Sequence, residues 1–184
     1  MAAGGKQTER TRCFAAQYRL RASLQMNDKL PQRKVPVHFP PVSSHNRSFI
    51  IFLTVCTEKR KPILARDDIH QLLLPSWRTA DAWAAGRYVV MPDHVHLFCS
   101  PGSDEPVPLE KWVHFWKSWS SQRWPRPAEQ PIWQKSFWDT QLRRTDRYES
   151  KWNYVQQNPV RQRLVARAED WHYQGELNAL EWHD

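Results

Sequence analysis

"GRYVVMPDHVHLFCS", residues 86–100, holds two short apolar runs separated by Met-Pro-Asp. Both runs are rich in β-branched and aromatic residues and have the length of strands, and Pro92–Asp93 supplies a turn between them. The stretch therefore reads as a β-hairpin. In the second run His94 and His96 flank Val95, and the period of two in a strand turns both imidazoles to one face. That face is either the polar side of a half-buried strand or two ligands of an open metal site. Asp93, by the same alternation, falls on the opposite side and reads as a turn residue.

Upstream, "SFIIFLTVCT" (48–57) reads as a strand, followed by the basic turn "EKRKPILA". A helix is expected from Asp67 or Asp68 to about Trp83, with an acidic first turn and a kink or split at Pro75. Downstream, Leu109–Trp124 is expected to be helical, with Trp112, Phe115, Trp116 and Trp119 on one side. Burial explains that spacing better than base stacking does. Residues 132–143 read as a strand and Asp146–Asn158 as a helix, with "PVRQRLV" opening a new turn. The order β-α-β-β-α-β-α predicts an α+β fold. It is a ferredoxin-like split βαβ (βαββαβ) antiparallel sheet with an additional C-terminal helix, and that helix carries Tyr154. The domain spans 48–172 on this reading, and 173–184 is a tail.

Residues 1–47 are basic and proline-containing without sustained periodicity, and read as a poorly ordered arm. Met26 offers an internal start, on which reading residues 1–25 are an extension. Across 184 residues, 27 lysines and arginines face 19 acidic residues, for a net charge of +8, and the pI is near 9.7. Such a balance suits a nucleic-acid or anionic-membrane partner. The longest apolar run, Phe49–Val55, is too short to span a bilayer, and no secretory signal is visible. Cys13, Cys56 and Cys99 lack CxxC spacing, which fits a reducing cytosol and argues against a disulfide framework.

In "DRYESKWNYVQQNP", Tyr148, Trp152 and Val155 form an apolar stripe, while Arg147, Lys151, Tyr154 and Asn158 fall on another. Asn158 precedes Pro159 and sits at or near the helix end. A phenol one turn from an amide oxygen, on a basic stripe, is a candidate nucleophile beside a candidate metal ligand. On its own a surface tyrosine is more often structural. Two imidazoles and one carbonyl oxygen would leave open positions on a divalent ion acting on a phosphate. Nitrogen ligands lean toward Mn²⁺, and Mg²⁺ is the abundant alternative.

The stretches "YVVMPDHVHLF", "LEKWVHFWKSW" and "FWDTQLRRTDRYESKWNYVQQNPVRQRLV" together resemble the REP-associated tyrosine transposases, a branch of the single-tyrosine HUH group, over roughly Ser48 to Trp171. The resemblance implies that His94 and His96 are metal ligands and Tyr154 the nucleophile. Asn158 falls where related enzymes carry a glutamine ligand. It also implies cleavage of single-stranded DNA next to hairpins through a 5′-phosphotyrosine, with a divalent metal ion (Mg²⁺ or Mn²⁺) as cofactor. A monomer or homodimer in the cytoplasm, at the nucleoid, is expected.

Lys59, Arg60, Lys61, Arg143, Arg144, Arg147, Lys151, Arg161 and Arg163 cluster around these motifs and are candidate DNA-binding residues. Two rivals stand beside this reading. One is a transposase-derived protein that binds single-stranded nucleic acid without cutting it. The other is a ferredoxin-like phosphoesterase, but those resemble paired H-x-T/S motifs. Here there is one HxH, and His114 belongs to a helix.

Overall fold

The computed structural model describes residues 49–103, 107–142 and 145–180. The proposed arm 1–47, with Cys13 and Met26, lies outside the described residues, as do Arg143 and Arg144. Five strands form one sheet: β1 (Ile50–Cys56), β2 (Trp83–Val90), β3 (His94–Pro101), β4 (Trp138–Leu142) and β5 (Gln174–Glu176), in the order β4-β1-β3-β2-β5. Every pairing is antiparallel. Helix α1 (Asp67–Thr79) joins β1 to β2, and α2 (Leu109–Gln122) joins β3 to β4. This is the expected α+β, split βαβ arrangement. Helix α3 (Thr145–Gln156) and the short α4 (Asn158–Arg161) follow β4. The fifth strand is an addition, because Gln174–Glu176, in the stretch read as a tail, pairs with Arg87–Val89 of β2.

Register divides the sheet into two faces. Ile51, Leu53 and Val55 of β1 meet Cys99, Leu97 and Val95 of β3 and belong to the main core with α1 and α2. Phe52, Thr54 and Cys56 meet Phe98, His96 and His94 on the other face. Helix α1 runs through Pro75 as one helix, with Ile69, Leu73 and Trp77 buried.

In α2 the aromatic side is split. Trp112 and Trp116 are buried together with Val113 and Ser120, whereas Phe115 is 46% exposed and Trp119 lies under Arg123, whose guanidinium is 4.1 Å from its ring. The buried arc is centred on the side of Val113 and Ser120, and Phe115 falls outside it. Trp116 is fully buried and meets Trp77, Trp112 and Trp133 at ring separations of 6.1, 6.5 and 5.4 Å. Trp116→Ala is expected to cost about 3–5 kcal/mol of stability, seen as a lower urea midpoint with an unchanged m-value. Its indole N–H has no acceptor among the described residues, so Trp116→Phe should cost clearly less.

Candidate metal and nucleophile face

The site is built on the sheet face opposite the core. Thr54 is the cross-strand partner of His96, and Cys56 of His94. His94 and Asp93 are buried, and His96 is half-buried beneath a ring stack with Phe52 at 5.3 Å. The Nε2 atoms of His94 and His96 lie 3.1 Å apart. Their outer nitrogens are both engaged: His94 Nδ1 lies 2.7 Å from Asp93 Oδ1, and His96 Nδ1 lies 3.0 Å from Thr54 Oγ1.

These contacts form one consistent hydrogen-bond chain. The Thr54 hydroxyl donates to His96 Nδ1, His96 Nε2–H donates to His94 Nε2, and His94 Nδ1–H donates to Asp93. Rotating the threonine hydroxyl lets it accept instead, which moves the His96 proton to Nδ1 and turns both Nε2 lone pairs inward. Burial first, then His94 and the cations Arg60, Lys151 and Arg161, hold the His96 pKa well below the ordinary histidine value. Its imidazole is therefore neutral near pH 7, the form that offers a lone pair.

Asp93 is a turn residue, as the sequence reading expected. Strand alternation would send it away from His94, but β3 begins only at His94, so Asp93 belongs to the turn and the alternation does not apply to it. Its backbone carbonyl accepts hydrogen bonds from both the amide and the hydroxyl of Thr57 (3.0 Å each), which fixes the turn against the end of β1. Its carboxylate is then shared between His94 and Arg60, whose Nε lies 2.8 Å from Asp93 Oδ2. Arg60 reaches it from a turn in which Lys59 and Arg60 both take left-handed backbone angles (φ 53° and 56°). That conformation is costly for residues with a Cβ, and the ion pair to Asp93 helps to hold it. Arg60 also donates from Nη1 to Cys56 Sγ at 2.7 Å.

Helix α3 is laid across this face by its apolar stripe. Tyr148 and Val155 are buried, and Tyr148 and Trp152 set their rings edge-on to Phe98 at 5.1 and 6.2 Å. Arg87 of β2 lies over both rings and donates from Nη1 to the two Glu149 oxygens at 2.8 and 2.9 Å. Lys151 sits over the Phe52 ring at 5.1 Å. On the outer side Tyr154 is 60% exposed. Arg161 covers its ring at 3.9 Å, donates to the Tyr154 carbonyl at 2.5 Å, and donates to Asn158 Oδ1. Asn158 opens α4, separated from the end of α3 at Gln156 by the single residue Gln157.

The candidate residues thus separate by role. His94 and His96 converge. Arg161 links Tyr154 to Asn158, and its charge reaches His96. Arg60 is committed to Asp93 and Cys56, and the Lys61 ammonium donates to the carbonyls of Glu129 (2.8 Å) and Pro131 (3.2 Å). Arg147 and Arg163 are exposed. Sequence reasoning missed Thr54 and the carboxylate role of Asp93. The first depends on register between strands some forty residues apart.

The donor pair fits a divalent ion. Two nitrogens bound at roughly 2.0–2.1 Å to one ion, near a right angle, lie about 3 Å apart, and carboxylate or hydroxyl partners on the outer nitrogens are what ligating histidines ordinarily have. Among the described residues, no group of three or more His, Cys, Asp or Glu side chains is placed to hold a metal. Among the described residues, a third protein ligand would have to be of another residue type.

Fold and site together define a class: a ferredoxin-like α+β domain with a paired-histidine face and a tyrosine-bearing helix packed across the same side of the sheet. No protein-family model matches the chain. It is 22% identical over 150 residues to a REP-associated tyrosine transposase of Haemophilus influenzae, covering 72% of this chain and 84% of that protein. Among solved structures it matches a REP-associated tyrosine transposase bound to a REP hairpin, with a TM-score of 0.59, 20% identity, and 77% and 79% of the two chains covered. A transposase structure from Deinococcus radiodurans gives a TM-score of 0.45 at 19% identity, over 64% of this chain and 95% of that one, too loose a likeness to argue from. The resemblance read from the HVH strand and the tyrosine helix is therefore to the family whose name these first two relatives carry.

Proposed function

We propose that this protein is a metal-dependent single-stranded DNA endonuclease and strand-transferase of the transposase type, cutting beside hairpin DNA through a 5′-phosphotyrosine at Tyr154. The observation that carries this reading is the convergence of the His94 and His96 Nε2 atoms at 3.1 Å, with both outer nitrogens occupied. The catalytic unit is proposed to be residues 48–172. The protein would act as a monomer or homodimer in the cytoplasm, at the nucleoid. Among the described residues no helix is long and apolar enough to cross a membrane.

His94 and His96 would hold a divalent ion, Mg²⁺ or Mn²⁺, which polarises a non-bridging oxygen of the scissile phosphate when bound. Tyr154 Oη attacks the phosphorus, the Oη–P bond forms, the P–O3′ bond breaks, and the phenolic proton passes through water to the departing 3′ oxygen. The products are a 5′-phosphotyrosine and a free 3′-hydroxyl. The same steps in reverse, with a 3′-hydroxyl attacking the phosphotyrosine, rejoin strands without outside energy. Asp93 and Thr54 orient the two imidazoles, and Arg161 holds Tyr154 and places positive charge where phenolate and phosphate charge accumulate. Asn158, a proposed third ligand, would have to exchange Arg161 for the ion. Lys59, Arg143, Arg144, Arg147, Lys151 and Arg163 would track the phosphate backbone, whereas Arg60 and Lys61 serve more as braces of the site than as contacts to DNA.

The test is an adduct that survives denaturant. Wild-type protein with Mn²⁺ and a hairpin oligonucleotide carrying single-stranded flanks should give a covalent band that EDTA removes and that peptide mapping assigns to Tyr154. Hairpin binding with no adduct in either metal would favour the non-catalytic binder, and an adduct that persists in EDTA would overturn the metal reading.

A further inference from the structure

We propose that Trp138 is the stacking platform for a base of the single strand that crosses the histidine face, an inference that rests on the strand-cutting reading of that face. Sheet register places it there. Trp138 of β4 is the cross-strand partner of Thr54, and Thr54 is the partner of His96, so the three side chains stand in one row on one face. With strands about 4.8 Å apart, Trp138 and His96 are separated by two strand spacings, roughly 10 Å. A base next to a phosphate held at His96, or one further along, falls within reach of the indole.

The packing of the other tryptophans makes Trp138 an exception. Ten of the eleven lie among the described residues, and seven of those are buried. Trp152 packs against Phe98 and Arg87, and Trp119 under Arg123. Trp138 is 36% exposed and has no ring partner among the described residues. β4 is an edge strand, so the indole faces an open margin, and Thr140, two residues on and on the same face, is exposed as well. An unpaired indole beside a lysine-bearing surface is the combination by which proteins hold unpaired bases: a π-face for the base and positive charge for the backbone. Phe115, also exposed, belongs to α2 on the opposite face of the sheet and cannot share this path.

The experiment reads binding without chemistry. Wild type and variants in EDTA are titrated against fluorescein-labelled dT12 and against a blunt mixed-sequence DNA hairpin with no single-stranded arm. Trp138→Ala is expected to weaken dT12 binding about 5- to 150-fold and to leave blunt-hairpin binding within about twofold, with Trp138→Tyr restoring most of the loss. Wild type irradiated with dT12 carrying one 5-iododeoxyuridine should cross-link at Trp138. Unchanged dT12 affinity in Trp138→Ala, an equal loss on both probes, no dT12 binding by wild type, or a cross-link confined to other aromatic residues overturns the proposal. A Trp138-dependent dT12 affinity in a protein that forms no covalent adduct sinks the cutting reading alone.

Discussion

Tyr154→Phe should abolish the covalent DNA adduct, by on the order of 10³-fold or more, while leaving hairpin affinity within about threefold and thermal stability nearly unchanged. The substitution removes one oxygen from a side chain that is 60% exposed, and the ring that Arg161 covers at 3.9 Å stays in place. The other described tyrosines make poor substitutes for the lost nucleophile. Tyr148 is buried against Phe98, and burial pushes its pKa up to about 12. Tyr173 is likewise pushed up to about 12, by burial and then by Asp67, to which its hydroxyl donates at 3.2 Å. Tyr88 is buried beside His70, and its pKa is also raised. Among the described tyrosines only Tyr154 combines access to solvent with a cation against its ring, and that cation, Arg161, also acts on His96. An undiminished adduct in Tyr154→Phe, scored on a denaturing gel, would remove it as the nucleophile and redirect the search to residues such as Ser136 or Thr140 near the edge strand.

What could be read in advance follows the range of the forces involved. The hairpin at 86–100, the shared face of His94 and His96, and the burial of Tyr148 and Val155 all rest on local periodicity, and the structure has them. The order β4-β1-β3-β2 follows from the chain order of strands and helices once a split βαβ unit is accepted. Thr54 as the partner of His96 could not be read, because it is a matter of register between β1 and β3. β5 lay hidden in three residues, Gln-Gly-Glu, with no strand propensity, held by pairing to β2 and by the backbone contact of Leu177 with Gly86. Charge was the least legible feature. "EKRK" offered three cations, yet Arg60 and Lys61 turn inward to Asp93 and to the carbonyls of Glu129 and Pro131. A charge run states how many cations a loop has, and tertiary contacts decide which of them remain for a partner.

The second large effect separates ligand from support on the histidine face. His96→Ala is expected to lower Mn²⁺-dependent cleavage by on the order of 10³-fold, with no recovery at higher metal concentration. Asp93→Asn keeps both imidazoles but replaces the carboxylate that sets the His94 tautomer at 2.7 Å and pairs with Arg60 at 2.8 Å. It should raise the Mn²⁺ concentration needed for half-maximal rate about 10- to 100-fold, and much of the maximal rate should return when that concentration is reached. Calorimetric Mn²⁺ titration supplies a readout independent of cleavage: His96→Ala should lose the high-affinity site, and Asp93→Asn should weaken it by the same factor as in the rate assay. The structural alternative is that both substitutions merely loosen the face, since His96 stacks on Phe52 and the Asp93 carboxylate holds the Arg60 turn. His96→Phe tests that directly, because it keeps a ring on Phe52 and removes both nitrogens. If His96→Phe cleaves DNA and binds Mn²⁺ like wild type, His96 is packing rather than a ligand. If it fails as His96→Ala does, with stability intact, the Nε2 lone pair is what the reaction requires.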